Sequence, residues 1–146
     1  MTRSEGAPVI SETRETSMAP DEVWSRLVDV ESWPSWSASM ERIERLDEGP
    51  LRVGAKARVT QPAGRPAIWE VTVLDAGREF TWQSRQPGVT VVARHILRPT
   101  PTGTHILLTL ELLGPLAWLG RLLAGRRIAR YVRMEADGLA GVEPER

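Results

Sequence analysis

The chain has 146 residues, a formal net charge of zero and a pI near 6.8. That length suits one domain with its own hydrophobic core, and the charge balance gives no electrostatic case for nucleic acid. The absence of cysteine excludes disulfides, thiol catalysis and cysteine-ligated metal, and it is compatible with a reducing, cytoplasmic setting.

The opening MTRSEGAPVI lacks the apolar run of a signal peptide. No stretch reaches the length of a membrane span, so no stable membrane insertion is expected. Residues 1–8 read as a loose tail, 9–140 as a single domain and 141–146 as a second tail. The aromatic set is lopsided, with six Trp against one Tyr and one Phe. Three of the six, Trp24, Trp33 and Trp36, fall within VWSRLVDVESWPSW.

A first strand is expected over about 9–18, VISETRETSM. It offers Glu12, Arg14 and Thr16 on one face and Ser11, Thr13, Glu15 and Ser17 on the other. APDEVW then opens a helix. Pro20 suits its first turn, and Asp21 and Glu22 favour the positive end of the dipole. Val23, Trp24, Leu27 and Val28 repeat at helical spacing. Pro34 breaks that pattern, which makes SWPSW a separate short helix or turn.

From about residue 40 the period becomes two. Ala55, Ala57 and Val59 alternate with Lys56, Arg58 and Thr60. Ala67, Trp69, Val71 and Val73 share a face, as do Phe80, Trp82 and Ser84. The turns PAGRP, DAGR, QPG and PTPTG separate these runs, as in an antiparallel meander with one buried face. In the last hairpin, Val89, Val91, Ala93 and Leu97 match Ile106, Leu108, Leu110 and Leu112. That match turns His95 inward and His105 outward, which argues against a two-histidine metal site.

After Gly114-Pro115 the chain is helical again. Leu116, Leu119, Leu122 and Leu123 share one side, while Ile128, Tyr131, Val132 and Leu139 lie roughly a third of a turn or more away. Either Gly120 and Gly125 permit a bend or the two halves pack on different partners. Trp118 reads as helix packing. The run GRRIARYVR could suggest an anionic membrane surface, where a basic amphipathic helix can lie, but it reads first as the solvated outer face of this helix.

The segments APDEVWSRLVDVESWPSWS, IWEVTVLDAGREFTWQS, ARHILRPTPTGTHILLTL and LGPL resemble the polyketide cyclase and START-like superfamily. The resemblance runs from Val9 to about Leu139 and is most specific in AP-x-x-VW…D-V-E-x-W-P-x-W. It implies an α+β helix-grip fold, with a curved seven-stranded antiparallel sheet wrapped around a long C-terminal helix and two short helices after the first strand. It also implies a cavity between sheet and helix, and that Ser17, and with it Glu15, faces inward. Members bind lipids, sterols, hormones, quinones or aromatic polyketides, and some are aromatase/cyclases.

The expected function is therefore binding of a small hydrophobic or aromatic molecule, by a monomer or homodimer, with no cofactor and no metal. Trp33, Trp36, Trp69 and Trp82 would supply stacking surface, and Met40, Val71, Ala93 and Leu108 the walls. His95 and Ser84 would orient a polar group. His95 is open to two readings, a satisfied core histidine or a proton-transfer group. The second would suit an acid–base enzyme acting on a polyketide-like substrate. Cyclases of the superfamily are thought to use cavity tyrosine and arginine, whereas this chain has Met40 in the corresponding region. Its Arg85 and Arg94 have outward parity, and its one tyrosine, Tyr131, is on the last helix.

Overall fold

The computed structural model describes residues 9–142; the expected tail 1–8 and the end of the second tail, 143–146, lie outside the described residues. The elements are β1 (Val9–Thr16), α1 (Pro20–Val28), a 3-10 turn (Val30–Ser35), β2 (Arg42–Arg45), β3 (Lys56–Thr60), β4 (Ala67–Asp75), β5 (Glu79–Gln86), β6 (Val89–Thr100), β7 (Gly103–Leu113) and α2 (Ala117–Leu139). The seven strands form one antiparallel sheet in the order β1-β7-β6-β5-β4-β3-β2. Strands β2 to β7 are a simple meander. α1 and the 3-10 turn carry the chain from one sheet edge, β1, to the other, β2. This is the curved sheet and long terminal helix of the helix-grip fold.

Alternation sets the buried face along most of the sheet. His95 lies opposite Leu108, Ala93 opposite Leu110 and Leu97 opposite Ile106, so the two apolar rows of the last hairpin meet on the helix side. One strand departs from the expected parity. The β4–β5 register shifts between Val71 and Val73. The extra residue turns Val73 out to solvent, 38% exposed, and brings Leu74 against the core instead.

The core is organised around Trp33, which is fully buried. Its ring lies 5.4 Å from Trp36, 5.1 Å from Trp82, 6.0 Å from Phe80 and 5.3 Å from His95. Its indole N–H donates to the Leu27 carbonyl at 2.9 Å, a carbonyl in the last turn of α1 that has no helical partner. The 3-10 turn carrying Pro34 is what swings this indole back under α1. Val23 and Leu27 complete the buried face of that helix.

α2 runs as a single helix whose two halves meet different surroundings. In the second half Val132, Ala136, Gly138 and Leu139 are buried. At its start Leu116, just before the helix, and Trp118, Leu122 and Leu123 in its first half are exposed, so Trp118 is not a packing residue, contrary to its sequence reading. The C-terminal end is drawn in tightly. A Cβ on Gly138 would lie 1.8 Å from the Trp36 carbonyl oxygen and 2.8 Å from its ring. Arg26 anchors the same spot, donating to the Gly138 carbonyl at 2.7 Å with its guanidinium 5.6 Å from the centre of the Trp36 ring.

The two faces of β1 are assigned by its pairing with β7, in which Arg14 lies opposite Ile106 and Glu12 opposite Leu108. Arg14 therefore faces the helix, bonding Asp137 of α2 at 2.7 Å and Glu12 at 3.2 Å. Its hydrogen bond to Asp137 raises the guanidinium pKa, partly opposed by burial. Glu15 points the other way and pairs with His105 on the outer face. The inward Glu15 implied by the resemblance is thus corrected: the one-residue parity of a strand puts Arg14, not Glu15, under the helix.

The contact at Gly138 makes a prediction that Gly125 controls. Gly138→Ala should cost about 3 kcal/mol or more in urea unfolding, because backbone rather than a flexible side chain occupies the space. The nearest atoms to a Cβ at Gly125 all belong to the exposed Arg121 side chain, its Cδ at 3.3 Å. Gly125→Ala should stabilise the chain by about 0.5–1 kcal/mol.

Candidate functional site

A cavity of about 90 Å³ lies between the sheet and the second half of α2. Room on this scale holds roughly half a dozen waters. Trp69 of β4 and Trp82 of β5 form one wall, their ring centroids 5.5 Å apart at 39°. Met40, Val59, Val91, Ala93 and Leu110 continue the apolar lining from the sheet side. α2 contributes Ile128, Tyr131, Val132 and Glu135, and the polar lining is completed by Gln61.

Of the sequence-selected residues, Met40, Trp69, Trp82 and Ala93 therefore meet the cavity. Trp33, Trp36, Val71, Ser84, His95 and Leu108 are buried but do not line it. Each has a physical reason. Trp33 is consumed by ring packing and its bond to Leu27. Trp36 lies beneath the end of α2. Val71 and Leu108 face inward but sit in the core cluster. The Ser84 hydroxyl accepts from the Gln86 amide at 2.8 Å. Of the arginines considered for the cavity, Arg85 is exposed and Arg94 pairs with Glu79 at 3.4 Å, away from the cavity.

His95 acts one step behind the cavity wall. Its Nδ1 is 2.9 Å from the Phe80 carbonyl oxygen. A carbonyl only accepts, so Nδ1 carries the hydrogen. Nε2 then faces Glu135 Oε1 across 2.6 Å, a separation that two acceptors hold only with a hydrogen between them. A hydrogen therefore lies between Nε2 and Oε1, borne by one atom or the other. Either way Glu135 Oε2 remains an acceptor, and no other described residue is recorded bonding to it.

Tyr131 supplies the complementary group. Its hydroxyl accepts the Ala63 N–H at 3.2 Å, which leaves its own hydrogen free to donate. The cavity lining thus includes an acceptor, Glu135, and a donor, Tyr131, from successive turns of one helix. Glu135 and Gln61 were missed by the sequence reading, as was Tyr131 as a lining residue. Residues 128, 132, 135 and 139 continue one helical stripe, and a carboxylate interrupting that apolar stripe was the available signal. Its partner was not legible, because His95 lies 40 positions away.

The couple predicts a non-additive stability pattern. His95→Leu should cost about 2–4 kcal/mol in urea unfolding, since it strands the Glu135 carboxyl and the Phe80 carbonyl. Glu135→Leu should cost about 1 kcal/mol, because the imidazole keeps its bond to Phe80. The double variant should recover part of the His95→Leu loss.

Comparison with known proteins gives this geometry its setting. The family model described as polyketide cyclase / dehydrase and lipid transport matches residues 7–142. Among curated proteins no match was found. Among solved structures, the ZhuI aromatase/cyclase from Streptomyces sp. R1128 superposes with a TM-score of 0.75 at 18% identity, covering 92% of each chain. A START superfamily protein from Mycobacterium smegmatis gives 0.70 at 18%, covering 93% of this chain and 96% of that one. The hypothetical protein jhp0584 from Helicobacter pylori gives 0.78 at 14%, covering 91% and 86%. At these identities the structures testify to the fold, and the family match spans nearly the whole chain. This chain belongs to the polyketide cyclase/dehydrase and lipid transport family.

Proposed function

We propose that this protein binds a small, largely apolar aromatic molecule bearing a hydroxyl-type group in the cavity between sheet and α2. The observation that supports this reading is an indole wall, Trp69 with Trp82, in a cavity whose lining also includes Glu135 as an acceptor and Tyr131 as a donor. Apolar walls give affinity without direction, and the few polar groups set orientation. A ligand hydroxyl matches both groups at once, donating to Glu135 and accepting from Tyr131. A carboxylate ligand would set its charge against Glu135. Polyketide-, quinol- and lipid-like molecules with a free hydroxyl fall within this class. The setting we infer is a cytoplasmic one.

His95 in this reading is a positioning residue. It holds Oε1 so that Oε2 meets the ligand, and the Phe80 carbonyl holds the imidazole in turn.

A second reading is favoured by the same couple. A histidine and a carboxyl sharing one proton beside an apolar cavity form an acid–base pair, which would move a proton to or from a polyketide-like substrate in an aromatase/cyclase-type reaction. The proton would enter or leave at Glu135, the member that lines the cavity, with His95 taking up the difference.

Fluorescence titration with 2-naphthol and 2-methoxynaphthalene tests the first reading, because the two differ in one hydroxyl hydrogen. 2-Naphthol should bind more tightly, by about tenfold. Glu135→Leu should erase that preference while retaining the methoxy compound. Failure of both probes, together with a ligand-free mass in native mass spectrometry, would overturn the binding reading. The two readings separate with His95→Ala. Binding alone predicts a modest loss of affinity, and catalysis predicts loss of turnover with ligand still bound.

A further inference from the structure

The solvent side of α2 is divided along its length. Its first two turns and the residue before them leave Leu116, Trp118, Leu122 and Leu123 at 43%, 63%, 72% and 76% exposure. At about 100° per residue these project into the outward half of the helix. The following turns carry Arg126, Arg127, Arg130 and Arg133 on the same outward half, all exposed, and Arg121 flanks the apolar part. None of the five arginines makes a recorded ion pair among the described residues. From Gly114 to Met134 there is no acidic residue. A chain of zero net charge thus concentrates five positive charges around its most exposed apolar side chains.

We propose that this face of α2 docks the protein reversibly on an anionic lipid bilayer. The apolar turns would enter the boundary between headgroups and acyl chains, to a depth of about 5–10 Å. The arginines, displaced along the axis at about 1.5 Å per residue, would stay at the level of the phosphates. Trp118 suits such a boundary, with an apolar ring and one N–H for the headgroup region. Among the described residues no helix is long and apolar enough to cross a membrane, so the contact is a surface one.

Charge complementarity selects this occupant over a second copy of the chain. A two-fold contact through the patch would bring two arginine-rich segments together, and residues 114–134 supply no carboxylate to offset them. The basic run alone reads as a solvated face; the exposure of Trp118, Leu122 and Leu123 beside it is what changes the assignment. The same helix carries Ile128, Tyr131 and Glu135 over the cavity, so docking would bring a membrane-dissolved ligand close to its site.

The test is co-sedimentation of the full chain with vesicles of phosphatidylcholine alone or mixed with phosphatidylglycerol, at low and at physiological salt. Partition into the phosphatidylglycerol vesicles is expected, weakening as salt rises, with little binding to phosphatidylcholine alone. Leu122→Glu with Leu123→Glu should lower partition at least tenfold. Arg126→Glu with Arg127→Glu should lower it by a similar factor, since each basic residue near an anionic surface is worth roughly fivefold. These positions are exposed, and an unchanged circular dichroism spectrum would certify the fold. Absence of partition at low salt would overturn the proposal. So would a wild-type dimer that the Leu122→Glu, Leu123→Glu variant converts to monomer without any vesicle binding, which would assign the patch to a second copy.

Discussion

The seating of α2 against the backbone of Trp36 is the contact on which the rest of the site depends. A helix cannot ordinarily approach a carbonyl oxygen so closely, and it does so here because residue 138 carries no side chain. With that end fixed by Gly138 and Arg26, Ala136 and Leu139 enter the core. Glu135 is then carried over His95, and Tyr131 and Ile128 lie one and two turns back, above the cavity. The long helix reads its register from one glycine, and every functional side chain it presents inherits that register.

The cluster of indoles divides into two jobs. Trp33 and Trp36 are structural. One is locked in a ring cluster by its bond to Leu27, and the other is the floor on which α2 ends. Trp69 on β4 and Trp82 on β5 line the cavity, Trp82 with one side packed on Trp33. Identical side chains serve as filling or as wall according to what the fold sets opposite them.

The polar chemistry of the cavity rests on a chain of three groups, in which Phe80 orients His95 and His95 orients Glu135. A carbonyl that only accepts settles the tautomer, and the tautomer requires a shared proton. The contact uses one oxygen of the Glu135 carboxyl and leaves the other as an acceptor. The same arrangement suits recognition of a hydroxyl and transfer of a proton, which is why binding and catalysis both draw on it. On its other side α2 is apolar and then basic, so one helix carries both the inner recognition surface and the outer docking face.

The order of elements, the antiparallel meander and the inward parity of His95 were legible in the sequence, because alternation and helical spacing are local properties of the chain. Four segments together indicated the family, the one around Trp33 and Trp36 most specifically. Register shifts were not legible: the bulge after Val71 reversed Val73, and the pairing of β1 with β7 chose Arg14 over Glu15 for the helix side. Nor could spacing tell which large side chains would find a partner. Trp33 did and Trp118 did not, since burial depends on what the fold brings opposite. The His95–Glu135 couple belongs wholly to the tertiary structure, because its members meet only when α2 closes over the sheet. Local periodicity determined which way most strand side chains point, and the closing of the helix decided what they touch.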